Sequence, residues 1–240
     1  MKNTRIFKRD FTMVVIGQII SLFGNAILRF ALPLYLLRET DSSSLFGAVT
    51  ACSFIPMVIF SFLGGVIADR VNKRNIMVAL DFFTAIIIVV FYFALGQIPL
   101  VPLMIVMLML LYGISGAYQP SVQASIPLLV DYEALAKGNA IINMVSTLSN
   151  LLGPAIGGVL FGAFGLTPIL VISIVCFTIS AIMEIFIHIP YQKRDKEKGV
   201  FATVRNDLIE SFYFVKREKP IVLSVVGISV SYTHLTLPTI

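Results

Sequence analysis

Charge is what this chain has least of. Only 13% of its 240 residues are Asp, Glu, Lys or Arg, against about 25% in soluble domains, while 58% are hydrophobic, against about 45–50%. That supply cannot cover a soluble surface. Cysteine is scarce too. Cys52 and Cys176 lie far apart within apolar stretches, without CxxC or metal-ligand spacing, so a disulfide or metal site is not expected and each reads as a small buried hydrophobe. No nucleophile elbow, HExxH or P-loop occurs. The chain therefore reads as neither an enzyme nor, within itself, an ATP-driven pump, with no catalytic residue, metal or other cofactor expected.

What is present is apolar length. Six segments each approach the ~20 residues that cross ~30 Å of hydrocarbon: Phe11–Leu37, Leu45–Ile67, Ile76–Leu95, Leu100–Tyr118, Ala140–Phe164 and Pro168–Ile189. The short links "RETDSSS", "GGVIADRVNKRN", "GQIP" and "GLT" make consecutive helices antiparallel neighbours. A longer link, "QPSVQASIPLLVDYEALAKGN", is expected between the fourth and fifth.

The net charge of +5 comes from short basic clusters between apolar blocks, the pattern of loops at a lipid surface rather than of a nucleic-acid face. With six spans, sixteen of the eighteen Lys and Arg fall on one side: Lys2, Arg5, Lys8 and Arg9, then Arg70, Lys73 and Arg74, then Lys137, and eight between Lys193 and Lys219. The opposite side holds Arg38, and Arg29 lies within the first span. The positive-inside rule places the sixteen, and the amino terminus, in the cytoplasm of a plasma-membrane protein. The first apolar stretch is too long for a signal peptide and contains Asn25 and Arg29, so it reads as a retained helix.

Residues 1–190 are thus expected to form an all-α integral membrane bundle of six helices. In 191–220, Phe201, Val204, Leu208, Phe212 and Val215 recur at helical spacing, which predicts an amphipathic helix in a cytoplasmic linker. Residues 221–229 begin a seventh apolar run too short to span. The end, 230–240, starts with "VSYTHLTLPT", which resembles translated read-through of a sequencing adapter and is expected to be a non-native tail on a truncated gene, leaving His234 without a biological role.

The charged turn Gly65-Val66-Ile67-Ala68-Asp69-Arg70-Val71-Asn72-Lys73-Arg74-Asn75-Ile76-Met77 resembles the G-x-L-A-D-R-x-G-R-R-x-x-L loop between the second and third helices of the major facilitator superfamily. In this reading Gly65 lets helices approach, Asp69 accepts hydrogen bonds at a helix amino terminus, Lys73 and its neighbours fix the cytoplasmic face, and Asn72 replaces the family's second glycine in a left-handed turn. The resemblance implies a gate latch built on Asp69, Arg70 and Arg74. In the fifth span, "NLLGPAIGGVLFGAFG" is similar to the G-x-x-x-G-P-x-x-G-G motif of the superfamily's antiporter branches, in Gly153-Pro154-x-x-Gly157-Gly158. Glycines at 153, 157, 158 and 162 give small-xxx-small faces for close helix packing, and Pro154 favours a kink. "LGGVIAD" at Leu63 and "IGGVLFG" at Ile156 are a weak internal echo, as expected for two inverted three-helix units.

"GQIISLFGNAILRFALPLYLL", "QPSVQASIPLLV" and "LIESFYFVKREKP" together look like the macrolide-efflux and enterobactin-exporter branch (drug:proton antiporter type 3) over residues 8–229. That resemblance implies export of small amphipathic molecules by alternating access, coupled to protons, with a second six-helix half as partner. A siderophore or lipid exporter, or a membrane scaffold or sensor without transport, are the alternatives. "LLYGISGAYQPS" keeps Gly113, Gly116 and Gln119 of a proton-linked fourth-helix motif but lacks its arginine.

Polar groups inside apolar spans need partners or water. Gln18, Asn25 and Arg29 fall at i, i+7 and i+11, one helical face, which is expected to line a central cavity with Arg29 as a binding or coupling group. Gln119, Asp81 and Glu184 complete the cavity or coupling candidates. Asp81 is expected to pair with a basic loop residue, Glu184 to reach the inner interface or the following linker, and His188 to be solvated there.

Overall fold

The structure, a computed structural model, describes residues 8–190 and Tyr213, with the backbone alone at Val66, Asp69 and Arg70. The linker, seventh-helix and tail expectations for 191–240 lie outside the described residues.

Among the described residues there are six helices of membrane-spanning length: α1 (Arg9–Thr40), α2 (Ser43–Arg70), α3 (Lys73–Ala94), α4 (Leu100–Leu129), α5 (Leu135–Phe164) and α6 (Leu166–Ile185). Local chemistry sets their limits. Ser42 caps α2 by accepting a hydrogen bond from the Leu45 amide at 3.3 Å. Asn72 caps α3, its side chain accepting from the Arg74 amide at 3.0 Å. Gly96 and Gly165, at φ 84° and 76°, turn the chain between α3 and α4 and between α5 and α6.

Three local expectations are corrected here. The long link after the fourth span does not exist: α4 runs on through Pro120 and Pro127 to Leu129, and α5 starts at Leu135. Proline normally ends a helix, but within a membrane bundle it is tolerated because packed neighbours and local adjustment re-satisfy the freed backbone groups. Asn72 is extended (φ −60°, ψ 114°) rather than left-handed, because its work is capping. Asp69 lies in the last turn of α2, not at a helix amino terminus.

The packing has a two-fold logic. α2 packs chiefly on α4 and α5 chiefly on α1; α3 packs on α6; α1 meets α6 as α4 meets α3. Exchanging α1–α2–α3 for α4–α5–α6 leaves this pattern unchanged. Three helices reverse the chain direction, so the two units are inverted repeats. The glycine echo occupies equivalent seams. A Cβ on Gly64 would stand 2.7 Å from Ala117 Cα of α4, and one on Gly157 would stand 3.2 Å from Ile27 O of α1. Gly153 is tighter still against Ala26, and Gly158 faces Phe30 at 3.3 Å. Gly65 and Gly162 meet nothing within 4 Å, so the close approach assigned to Gly65 belongs to Gly64, and Gly162 is not part of the seam.

Two apolar clusters fill the bundle. One gathers Ile27, Leu28, Leu32 and Leu36 of α1 with Ala85, Ile88 and Phe91 of α3, Met104, Leu108 and Leu111 of α4 and Ile169, Leu170 and Phe177 of α6. The other gathers Phe11, Val14 and Val15 with Met77, Val122, Ile126, Ile142, Ile187 and Ile189. Large hydrophobes such as Phe62, Phe93 and Val159 point away from the bundle, the arrangement expected where lipid is the solvent. Cys52 shares that outward face of α2 instead of being buried; Cys176 is half-buried against Gly24.

Candidate functional site

Four segments meet at one end of the bundle. Lys8 Nζ pairs with Asp131 Oδ1 at 2.7 Å, the one ion pair among the described residues. The Asp10 carboxylate accepts from the amide of exposed His188 at 3.1 Å. The Arg74 guanidinium donates to the carbonyls of Ile185 and Ile187, at 3.3 and 3.5 Å, where α6 runs out of intrahelical donors. The start of α1, the α2–α3 turn, the α4–α5 turn and the end of α6 therefore share a face, as the charge pattern requires. The side chains of Asp69 and Arg70 lie outside the description, and Lys73 sits half-buried in the first turn of α3.

Farther in, α1, α2, α4 and α5 line an open-sided cavity of about 750 Å³. Its wall alternates apolar residues (Leu22, Phe30, Met57, Pro154) with Asn25, Arg29, Ser115, Gln119, Gln123 and Asn150. Asn25 Nδ2 donates to Ser115 Oγ at 3.0 Å, while Asn25 Oδ1 and Gln119 Oε1 are buried acceptors without a partner. Arg29 lies over the Tyr112 ring, 3.5 Å from its centroid, with Met57 Sδ 4.0 Å from Nη2. Stacking lets the guanidinium stay in the bundle, because the ring face offsets part of its desolvation. No acidic residue lines the cavity among the described residues.

Of the three residues expected on this face, Asn25 and Arg29 reach the cavity and Gln18 does not. Gln18 is wholly buried one layer away, donating from Nε2 to Tyr118 Oη at 2.8 Å. Tyr118 Oη in turn donates to Glu184 Oε1 at 2.6 Å. Beside them Ser21 Oγ donates to Asp81 Oδ1 at 3.4 Å, with Ser180 against the same carboxyl. On α1, α3 and α6 this polar layer falls between the two apolar clusters. In α1, Gln18 and Ser21 separate Val15 from Ile27; in α3, Asp81 separates Met77 from Ala85; in α6, Ser180 and Glu184 separate Phe177 from Ile187.

Both carboxylates are buried away from the inner interface; the linker to which Glu184 was expected to reach lies outside the described residues. Among the described residues Asp81 pairs with no loop cation, and it is 2% exposed; Glu184 is fully buried. Asp81 lies eight residues into α3, or about 12 Å along its axis, which keeps it from the basic turn. Glu184 lies against Gly17 of α1 and Tyr118 of α4, while Ile187 and Ile189 beyond α6 join the inner cluster. An ionised group at mid-bilayer costs about 2.5–3.5 kcal/mol, so two carboxyls with no cation beside them among the described residues are an expensive arrangement to keep.

Tyr118, Ser21, Ser180, Tyr112 and Ser115 were not among the expected site residues. A helical reading of α4 contains the signal: Tyr112, Ser115 and Gln119 at i, i+3 and i+7 line the cavity, and Tyr118, Ser121 and Ser125 at the same spacing are buried on another face.

The Major Facilitator Superfamily profile matches residues 14–239. Macrolide efflux protein A of Streptococcus pyogenes is 28% identical over 195 residues, 79% of this chain and 47% of that protein. The Staphyloferrin A transporter of Staphylococcus aureus is 22% identical over 76% of this chain and 46% of its own length. The chain spans about half the length of these relatives. Among solved structures, that of the POT family transporter PepTSo superposes with a TM-score of 0.63 at 21% identity, covering 96% of this chain and 48% of that one, a likeness of fold.

Proposed function

The chain belongs to the major facilitator superfamily, and from that premise we propose that it is the amino-terminal half of a secondary exporter of small amphipathic molecules. The observation that carries the reading is the cavity. A space of about 750 Å³ in a membrane bundle, with polar groups set singly into apolar walls, suits a ligand that is itself part greasy and part polar. A second six-helix half supplies the facing wall. The substrate moves out of the cell without covalent change, driven by protons moving in.

The seams support a reading of alternating access. The α1–α5 seam at Gly153 and Gly157 and the α2–α4 seam at Gly64 hold each unit tightly, so the bundle moves as one body. Pro154 sits where the first seam borders the cavity. At the end rich in Lys and Arg, taken as cytoplasmic with the amino terminus, the segment from Gly65 through Asp69, Arg70, Asn72, Lys73 and Arg74 acts as the latch against the second half. Arg74, already fixed on the end of α6, transmits that contact inward.

A second reading has its own support. Arg29 gives the cavity wall a positive charge with no acidic neighbour in that wall, which favours an anionic substrate such as a carboxylate siderophore over a cationic macrolide. The test is efflux by the full-length protein of erythromycin and of a polycarboxylate siderophore, with Asp69→Asn alongside. Either probe exported by the wild type, and lost in the variant, supports transport; efflux of both probes equal to that of a host without the gene overturns it.

A further inference from the structure

We infer that the coupling proton is carried by the buried layer of Asp81, Glu184 and Tyr118, a site separate from the substrate cavity and complete within these six helices. Its role in export rests on the function proposed above; its existence as a proton site does not.

The layer is short of donors. Glu184 Oε1 accepts from Tyr118 and Asp81 Oδ1 from Ser21, but Glu184 Oε2, Asp81 Oδ2 and Gln18 Oε1 are buried acceptors without partners. Gln18 is not acidic, so its orphaned oxygen marks the deficit independently of the carboxyls. An ionised carboxyl only accepts; a protonated one also donates. Each proton taken up forms an O–H bond on Oδ2 or Oε2, removes one unit of negative charge and supplies a missing donor. Its release to water restores the carboxylate.

Among the described residues, nothing nearby offers a cation instead. The groups facing the pair are Gln18 and Ser21 from α1, Thr84 from α3, Tyr118 from α4 and Ser180 from α6. Arg29 is stacked on Tyr112, Arg74 is bound to carbonyls at the end of α6, and Lys8 is paired with Asp131. Arg9, Asp10, Arg38, Glu39 and Lys73 sit in the terminal turns of α1 and α3.

The layer and the cavity share part of their lining. A second space of about 10 Å³, close to the size of one water, is lined by Ser21, Asp81 and Tyr118 and also by Leu22, Asn25 and Ser115, which line the large cavity too. The Asn25–Ser115 hydrogen bond stands between the two spaces. A substrate that engages Asn25 disturbs that bond, which links occupancy of the cavity to proton access.

The test is pH-difference infrared spectroscopy on the full-length protein in proteoliposomes, which needs no substrate. Acidification is expected to raise a carboxylic C=O band that is lost in Asp81→Asn or Glu184→Gln, returns in Asp81→Glu and Glu184→Asp, and shifts its midpoint in Tyr118→Phe. A spectrum unchanged by Asp81→Asn and Glu184→Gln overturns the site, as does a band that the carboxyl-retaining variants fail to restore. In the same vesicles, erythromycin accumulation driven by a pH gradient is expected to fall at least tenfold in Asp81→Asn and Glu184→Gln; accumulation within twofold of wild type overturns the coupling role. If wild-type vesicles accumulate no erythromycin, the function and the coupling role proposed for this probe fail, and the infrared titration still decides the proton site.

Discussion

The Arg29 guanidinium is stacked 3.5 Å from the centre of the Tyr112 ring, which fixes a positive charge on the wall of the cavity. The contact joins α1 to α4, the two helices exchanged by the internal two-fold.

That stacking needs a planar cation and an aromatic face, not merely charge and bulk. Arg29→Lys is expected to raise KM for a polycarboxylate probe about tenfold, equivalent to about 1.4 kcal/mol, whereas Tyr112→Phe, which keeps the ring, stays within twofold. Transport kinetics across a substrate series check this. Equal effects of the two changes would deny the stacked pair a role in binding.

Neighbouring glycines should respond in opposite ways. Gly64→Ala drives a methyl into the α4 backbone, and Gly153→Ala drives one into Ala26; overpacking of this kind costs about 1–3 kcal/mol. Gly65→Ala and Gly162→Ala meet open space and, by improving helix propensity, leave Tm unchanged or raise it. Thermal melts of the four purified variants separate the pairs.

At Asn72 the capping geometry sets the expectation. Asn72→Ala removes the acceptor for the Arg74 amide and should cost about 1 kcal/mol, while Asn72→Asp, which keeps it, should cost only a few tenths. A melting series that ranks Asn72→Gly above the wild type would instead favour a left-handed turn.

Much of the architecture was legible because a bilayer simplifies the code. Apolar length gave six spans, and the clustering of Lys and Arg anticipated that the start of α1, the α2–α3 turn and the α4–α5 turn share one end. The errors have local causes. The fourth span was expected to end at Tyr118, whereas α4 continues through Pro120 and Pro127 to Leu129, because membrane packing tolerates proline within a helix. Gly65 and Gly64 are indistinguishable in sequence, and only the facing backbone of Ala117 tells them apart. Asp81 and Glu184 lie 103 positions apart, and a linear reading sent each to the nearest basic loop. Their common layer appears only when α1, α3, α4 and α6 are packed together.

The central claim is that these helices sit in lipid around a watery cavity, and thiol accessibility tests it most directly. In the full-length protein carrying Cys52→Ser and Cys176→Ser, cysteines are placed at Ser146 and Asn150, which line the cavity, and at Val90 and Val159, which are 61% and 71% exposed on the outside of the bundle. A membrane-impermeant maleimide is expected to label Ser146→Cys and Asn150→Cys from one side of the membrane and to leave Val90→Cys and Val159→Cys unlabelled. Comparable labelling at all four positions, or silence at the cavity pair with reaction at the outer pair, would contradict it.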